Sequence, residues 1–126
     1  MSAAGFVVGQ VRVRTAVITA PFCTIFASQS KAEFSLDINV APRTRRMTGR
    51  IIFADDTLPV EATGFIKVLI DSSAINQGVV SFASPYILDL DVTDKSRVTI
   101  RVSIPEGSQA TLNRATFVLV EGEFAT

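Results

Sequence analysis

Three stretches of this chain alternate apolar and polar residues with period 2. In "AEFSLDINV", Ala32, Phe34, Leu36, Ile38 and Val40 fall on one side and Glu33, Ser35, Asp37 and Asn39 on the other. "YILDLDV" sets Tyr86, Leu88, Leu90 and Val92 against Asp89 and Asp91, and "RVTIRVSI" sets Val98, Ile100, Val102 and Ile104 against Arg97, Thr99, Arg101 and Ser103. Successive side chains of a strand point to opposite faces, so this is the pattern of a strand with one face buried. No segment of helical length keeps the i, i+3, i+4, i+7 apolar stripe of an amphipathic helix.

Six further runs, Val7 to Thr19, Phe22 to Ala27, Arg50 to Ala54, Gly64 to Ile70, Val79 to Ala83 and Ala115 to Val120, are rich in β-branched and aromatic residues. The breakers "DDTLP", "NQG", "TDKS" and "PEGSQ" read as turns between strands. Short strands at intervals of roughly 8 to 12 residues are the signature of a sandwich or barrel. The expected fold is all-β: a single antiparallel β-sandwich, jelly-roll or Greek-key-like, of about 7–9 strands, with residues 1–126 as one domain. Period 2 assigns faces but not strand order.

At 126 residues the chain can bury one core without disulfide or metal staples. Hydrophobic residues make up 48% and charged residues 19%, with a mean hydropathy of +0.38; the usual charged share is about 25%. No uninterrupted apolar run approaches the roughly 18 residues of a spanning helix, because Arg12, Arg14, Thr15, Thr19 and Pro21 break the most apolar region. The start, "MSAAGFVVGQVRVR", shows no signal peptide pattern, which favours a cytoplasmic or virion-associated setting over Sec export. Apolar surface left over from one small core can be buried between subunits.

Charge is unevenly distributed although the total is zero. Residues 1 to 50 hold seven Lys and Arg against two acids, a balance of +5, and residues 51 to 126 hold five against ten, a balance of −5. If the halves fold onto different faces, the molecule carries a dipole that favours self-association. If their strands interleave, the charges pair within a sheet.

Absences narrow the chemistry. There is no histidine, so Ser-His-Asp and Cys-His nucleophile systems and His-ligated zinc are excluded. Cys23 is the only cysteine and reads as a buried, inert thiol. No GxGxxG or GxxxxGK[ST] loop occurs, so neither a catalytic role nor a cofactor is expected. Adjacent Asp55 and Asp56 read as solvated turn acids. Asp89 and Asp91, on one strand face, together with Asp94 in the following turn could begin an oxygen-ligand calcium site; pairing with Arg97 and Arg101 across a hairpin could equally neutralise them.

"APRTRRMTGR" places Arg43, Arg45, Arg46 and Arg50 within ten positions. The patch could hold phosphate, an acidic protein partner or the acidic half of a second copy, or could be a solvated connection. Nucleic acid is not the expected partner, because no aromatics are interleaved and the pI is about 6.2. Nine Phe fall mostly on inward positions, and Tyr86 is the only other ring that could meet a sugar.

"MTGRIIFADDTLPVEATGFIKVLIDSSAI" carries Gly49, Leu58, Pro59, Ala62, Val68, Leu69, Asp71 and Ser73. In this it resembles the YbaY-like lipoproteins and YscW-type secretion pilotins over residues 47–122. The resemblance implies a small β-sandwich without catalysis, and for pilotins a part in assembling an outer-membrane secretin. The residues thus point to a non-enzymatic structural or protein-interaction module, a homo-oligomer or a subunit of an assembly. The alternatives are a virion or appendage surface protein and a glycan- or calcium-binding module centred on Asp89, Asp91, Asp94 and Tyr86.

Overall fold

A computed structural model describes residues 3–5, 11–13, 16–18 and 21–126, with side chains from Cys23 onward. Its strands are β1 (Ala3–Gly5), β2 (Val11–Val13), β3 (Ala16–Ile18), β4 (Pro21–Phe26), β5 (Glu33–Asn39), β6 (Arg46–Phe53), β7 (Gly64–Ile70), β8 (Ser73–Val80), β9 (Tyr86–Asp91), β10 (Arg97–Ser103) and β11 (Arg114–Ala125). One antiparallel sheet runs β1-β11-β6-β9, with β4 also pairing β11; the other runs β5-β10-β7-β8. β2 and β3 form a hairpin of their own. The expected all-β antiparallel sandwich is the architecture found.

Alternation builds the core. β9 and β10 bury every second residue, and the inward side chains of β6, β7, β9, β10 and β11 join one apolar cluster between the sheets. Its centre is aromatic: Phe53 of β6 and Phe117 of β11 meet edge to face with ring centroids 5.1 Å apart, and Phe82 meets Phe53 at 5.9 Å. Such pairs contribute about 0.5–1.5 kcal/mol beyond the area they bury. Phe117 comes so close to β7 that a Cβ at Gly64 would lie 2.5 Å from its ring. On the outer face of β11, Val118 and Val120 are also buried, with Ala54 and flanked by Ile52. This explains the unbroken apolar run "FVLV".

Four elements depart from the sequence reading. "NQG" is not a turn: Asn76, Gln77 and Gly78 lie within β8, where the bare Gly78 backbone admits the Tyr86 ring; a Cβ there would be 2.8 Å from Tyr86 Cε1. The β7–β8 reversal is instead made by Asp71 and Ser72, both at positive φ (47° and 71°), as a tight hairpin turn requires. β11 runs on to Ala125, because a bulge between Val120 and Glu123 inserts one extra residue and returns Phe124 to the core side. β6 begins at Arg46, four residues before the expected start, and "PEGSQ" contributes a short helix, α1 (Glu106–Gln109). Of the Val7 to Thr19 run, only the backbone of β2 and β3 falls among the described residues.

The opposed charge halves interleave. β6, from the basic half, lies between β9 and β11 of the acidic half, and its outward arginines face their acids.

Candidate functional site

The four arginines of residues 43 to 50 divide into two pairs with different fates. Arg46 and Arg50 alternate outward along β6. Arg46 donates from Nε to Asp89 Oδ1 at 2.7 Å and from Nη2 to Asp89 Oδ2 at 2.6 Å, a two-pronged bond across to β9. Arg50 donates to Glu121 at 2.8 Å, and the positive φ of Glu121 (56°) belongs to the β11 bulge. These two arginines are therefore neutralised within the sheet. The hydrogen bonds to Arg46 hold the Asp89 carboxyl below its ordinary range, and Asp89 raises the Arg46 guanidinium in turn.

Arg43 and Arg45 sit instead on the β5–β6 connection, at the end of the sandwich where the β7–β8 and β9–β10 turns also lie. Backbone hydrogen bonds pin this connection on several sides: Val40 N to Ser96 O, Arg45 N to Ala125 O and Val92 N to Arg45 O, each 2.9 Å. The β9–β10 turn is closed by Lys95 N to Val92 O at 3.0 Å. Asp71 ties in the neighbouring hairpin by accepting from Ser96 N at 3.1 Å and Arg97 N at 2.9 Å. Between the two loops lies a cleft of about 570 Å3, lined by Arg43, Arg45, Thr93, Asp94 and Lys95 over a floor that includes Val40 and Thr44. Thr44 is buried and holds the Arg43–Arg45 segment against the body. Arg43 (φ 66°) and Asp94 (φ 59°) face the same cleft from opposite loops in the left-handed conformation. That conformation is uncommon for residues other than glycine and recurs at ligand clamps.

The three acids considered together do not converge. Asp89 is taken by Arg46. Asp91 accepts from the Thr93 backbone at 3.0 Å and the Thr93 hydroxyl at 2.8 Å, and those bonds, with the charge of Lys95, lower its pKa. Asp94 lines the cleft beyond them. Among the described residues no group of three or more Asp, Glu, Cys or His is placed to hold a metal ion. Tyr86 is buried with its ring over Gly78, and so is no exposed platform for a sugar. Burial raises the Tyr86 pKa, and its hydroxyl finds no hydrogen-bond partner among the described residues.

Lys95 and Thr93 were legible only as part of a turn. Their place beside Arg43 and Arg45 follows from the pairing of Arg97 with Asn39, which joins segments more than fifty residues apart. A second concavity of about 430 Å3 shares Arg45 and Thr93 with the first and extends along Arg46, Asp89 and Asp91.

No family model matches this chain, and no curated protein matches it. Among solved structures it is similar to CBM51 from Clostridium perfringens GH95 in complex with methyl-galactose. The two share 8% identity at a TM-score of 0.56, over 98% of this chain and 92% of that one. It is also similar to a C. perfringens ZmpB chain holding CBM51-2, in complex with GlcNAc, and INT domains (12% identity, TM-score 0.55, 98% of this chain). A longer ZmpB chain with the M60 catalytic domain and two CBM51 domains matches at 14% identity and a TM-score of 0.56, over 99% of this chain. This chain spans 29% and 14% of those two ZmpB chains. At such identities the likeness establishes the β-sandwich fold.

Proposed function

We propose that this chain is a non-catalytic, glycan-binding β-sandwich module whose binding site is the cleft between the β5–β6 and β9–β10 loops. The observation that carries the reading is the match, over nearly the whole length of both chains, to a carbohydrate-binding module in complex with methyl-galactose. The cleft is of suitable size, since small-molecule sites occupy about 300–1,000 Å3. Arg43, Arg45, Thr93, Asp94 and Lys95 offer the donors and acceptors that sugar hydroxyls require. Pinned loops keep the ordering cost of binding low.

The test is an NMR titration of the 15N-labelled protein with methyl-galactose, GlcNAc and acidic sugars to tens of millimolar. Perturbations centred on residues 43–45 and 93–95 are expected. Unchanged spectra with every sugar would sink the reading.

A second reading, a self-associating module, is favoured by one feature. β8 is an edge strand with no charged residue and no proline, the usual protections against edge pairing, and it exposes Ile75 and Val79. Light scattering after size exclusion decides this: a concentration-independent monomer removes it.

A further inference from the structure

We infer that the cleft selects acidic sugars, recognising a carboxylate or sulfate through Arg43, Arg45 and Lys95. The inference rests on the glycan-binding reading and adds the class of ligand.

Three cationic side chains line this cleft, against Asp94 as the one acidic side chain among the described lining residues, and Thr126 also stands on its wall. The rest of the sheet shows how acids are used where cations are to be neutralised. Arg46 and Arg50, a few residues further on, each have a carboxylate within 2.8 Å. Arg43, Arg45 and Lys95 have no ion pair among the described residues. Asp91, which lines the adjoining concavity with Arg45 and Thr93, is turned into its own loop by two bonds from Thr93, so it exerts charge on Lys95 without a contact. The arrangement leaves an excess of cationic side chains lining this cleft on a chain of zero net charge.

Long-range attraction from the whole molecule is therefore weak, and selectivity has to come from contact. Arg provides a planar fork that matches a carboxylate or sulfate, and Lys a compact point charge. Asp94 lines the cleft, and its carboxylate can accept from sugar hydroxyls beside the charged group. Backbone hydrogen bonds at Val40, Arg45, Val92 and Lys95 tie both loops to the body of the sandwich.

The experiment compares methyl-galacturonide and galactose 6-sulfate with methyl-galactose by calorimetry and NMR at low and high salt. Acidic sugars are expected to bind about tenfold more tightly than methyl-galactose, as a charge-assisted hydrogen bond allows. The margin narrows as salt screens the charges. Arg43→Gln, Arg45→Gln and Lys95→Gln should each reduce the preference, while Arg50→Gln, on the sheet face, leaves it unchanged; circular dichroism confirms that each variant is folded. Equal binding of acidic and neutral sugars overturns the inference while leaving the glycan reading intact. Absence of binding by all three sugars and by GlcNAc overturns both. A single-stranded DNA oligonucleotide that binds more tightly than either acidic sugar and displaces it overturns the inference in favour of a nucleic-acid partner.

Discussion

Arg46 and Asp89 grip one another through two parallel hydrogen bonds of 2.7 and 2.6 Å across the β6–β9 pair. The basic cluster and the acidic strand, each a candidate ligand site when read alone, thus cancel at their point of contact. The two sets meet because β6 and β9 are neighbours.

The pair sets a pH dependence. Asp89 has its carboxyl lowered by Arg46, and Asp91 has its own lowered by Thr93. A carboxylate with a depressed folded-state pKa stabilises the fold fully above its unfolded value, and that contribution fades as pH falls through the folded one. Urea midpoints are expected to hold from neutral pH to the ordinary aspartate range and to decline below it. Arg46→Gln should flatten the acid limb, and because the pair is exposed its effect at neutral pH should be small. An unchanged acid limb in Arg46→Gln would show that Asp89 does not contribute to it.

Gly64→Ala tests the closeness of the sheets. The new methyl carbon would fall 2.5 Å from Phe117 Cε2 and 3.0 Å from Val80 Cγ1, in a core where neither neighbour is a flexible chain end. Overpacking of this kind costs about 1–3 kcal/mol. Thermal or urea unfolding should register it, and a neutral result would mean that β7 can move away from β11.

Tyr86→Phe should be neutral or stabilising. The hydroxyl is buried without a partner among the described residues, so removing it relieves a desolvation penalty of about 1–3 kcal/mol at most. A clear loss of stability would place a bound water or other partner at that oxygen.

Cys23 should resist thiol reagents in the folded state. Burial pushes its pKa up to about 11, which leaves little thiolate at neutral pH. Cys23 is half-buried, and modification by an aromatic disulfide at pH 8 is expected to be slow and to accelerate in denaturant; a rapid native reaction would contradict the raised pKa.

Local pattern was enough to assign the class of fold and the buried faces. Alternation in β5, β9 and β10 assigns each side chain to a face whatever the strand order, because pleating makes direction a local property. The sequence also ruled out histidine chemistry outright. It could not place "NQG", since Gly78 serves a ring supplied by Tyr86, and the turn there is made by Asp71 and Ser72 instead. Nor could it show that β11 continues past Val120, because a bulge suspends the period on which the reading depends. Only the tertiary structure decided which arginines are neutralised. Arg43 and Arg45 are as basic as Arg46 and Arg50, and the difference lies in neighbours brought in by strand pairing. Acids stand beside Arg46 and Arg50 on β6, whereas the turn carrying Lys95 stands beside Arg43 and Arg45 at the end of the sandwich. Charge at a site is a sum over spatial neighbours, and those are set by long-range registers that no local pattern encodes.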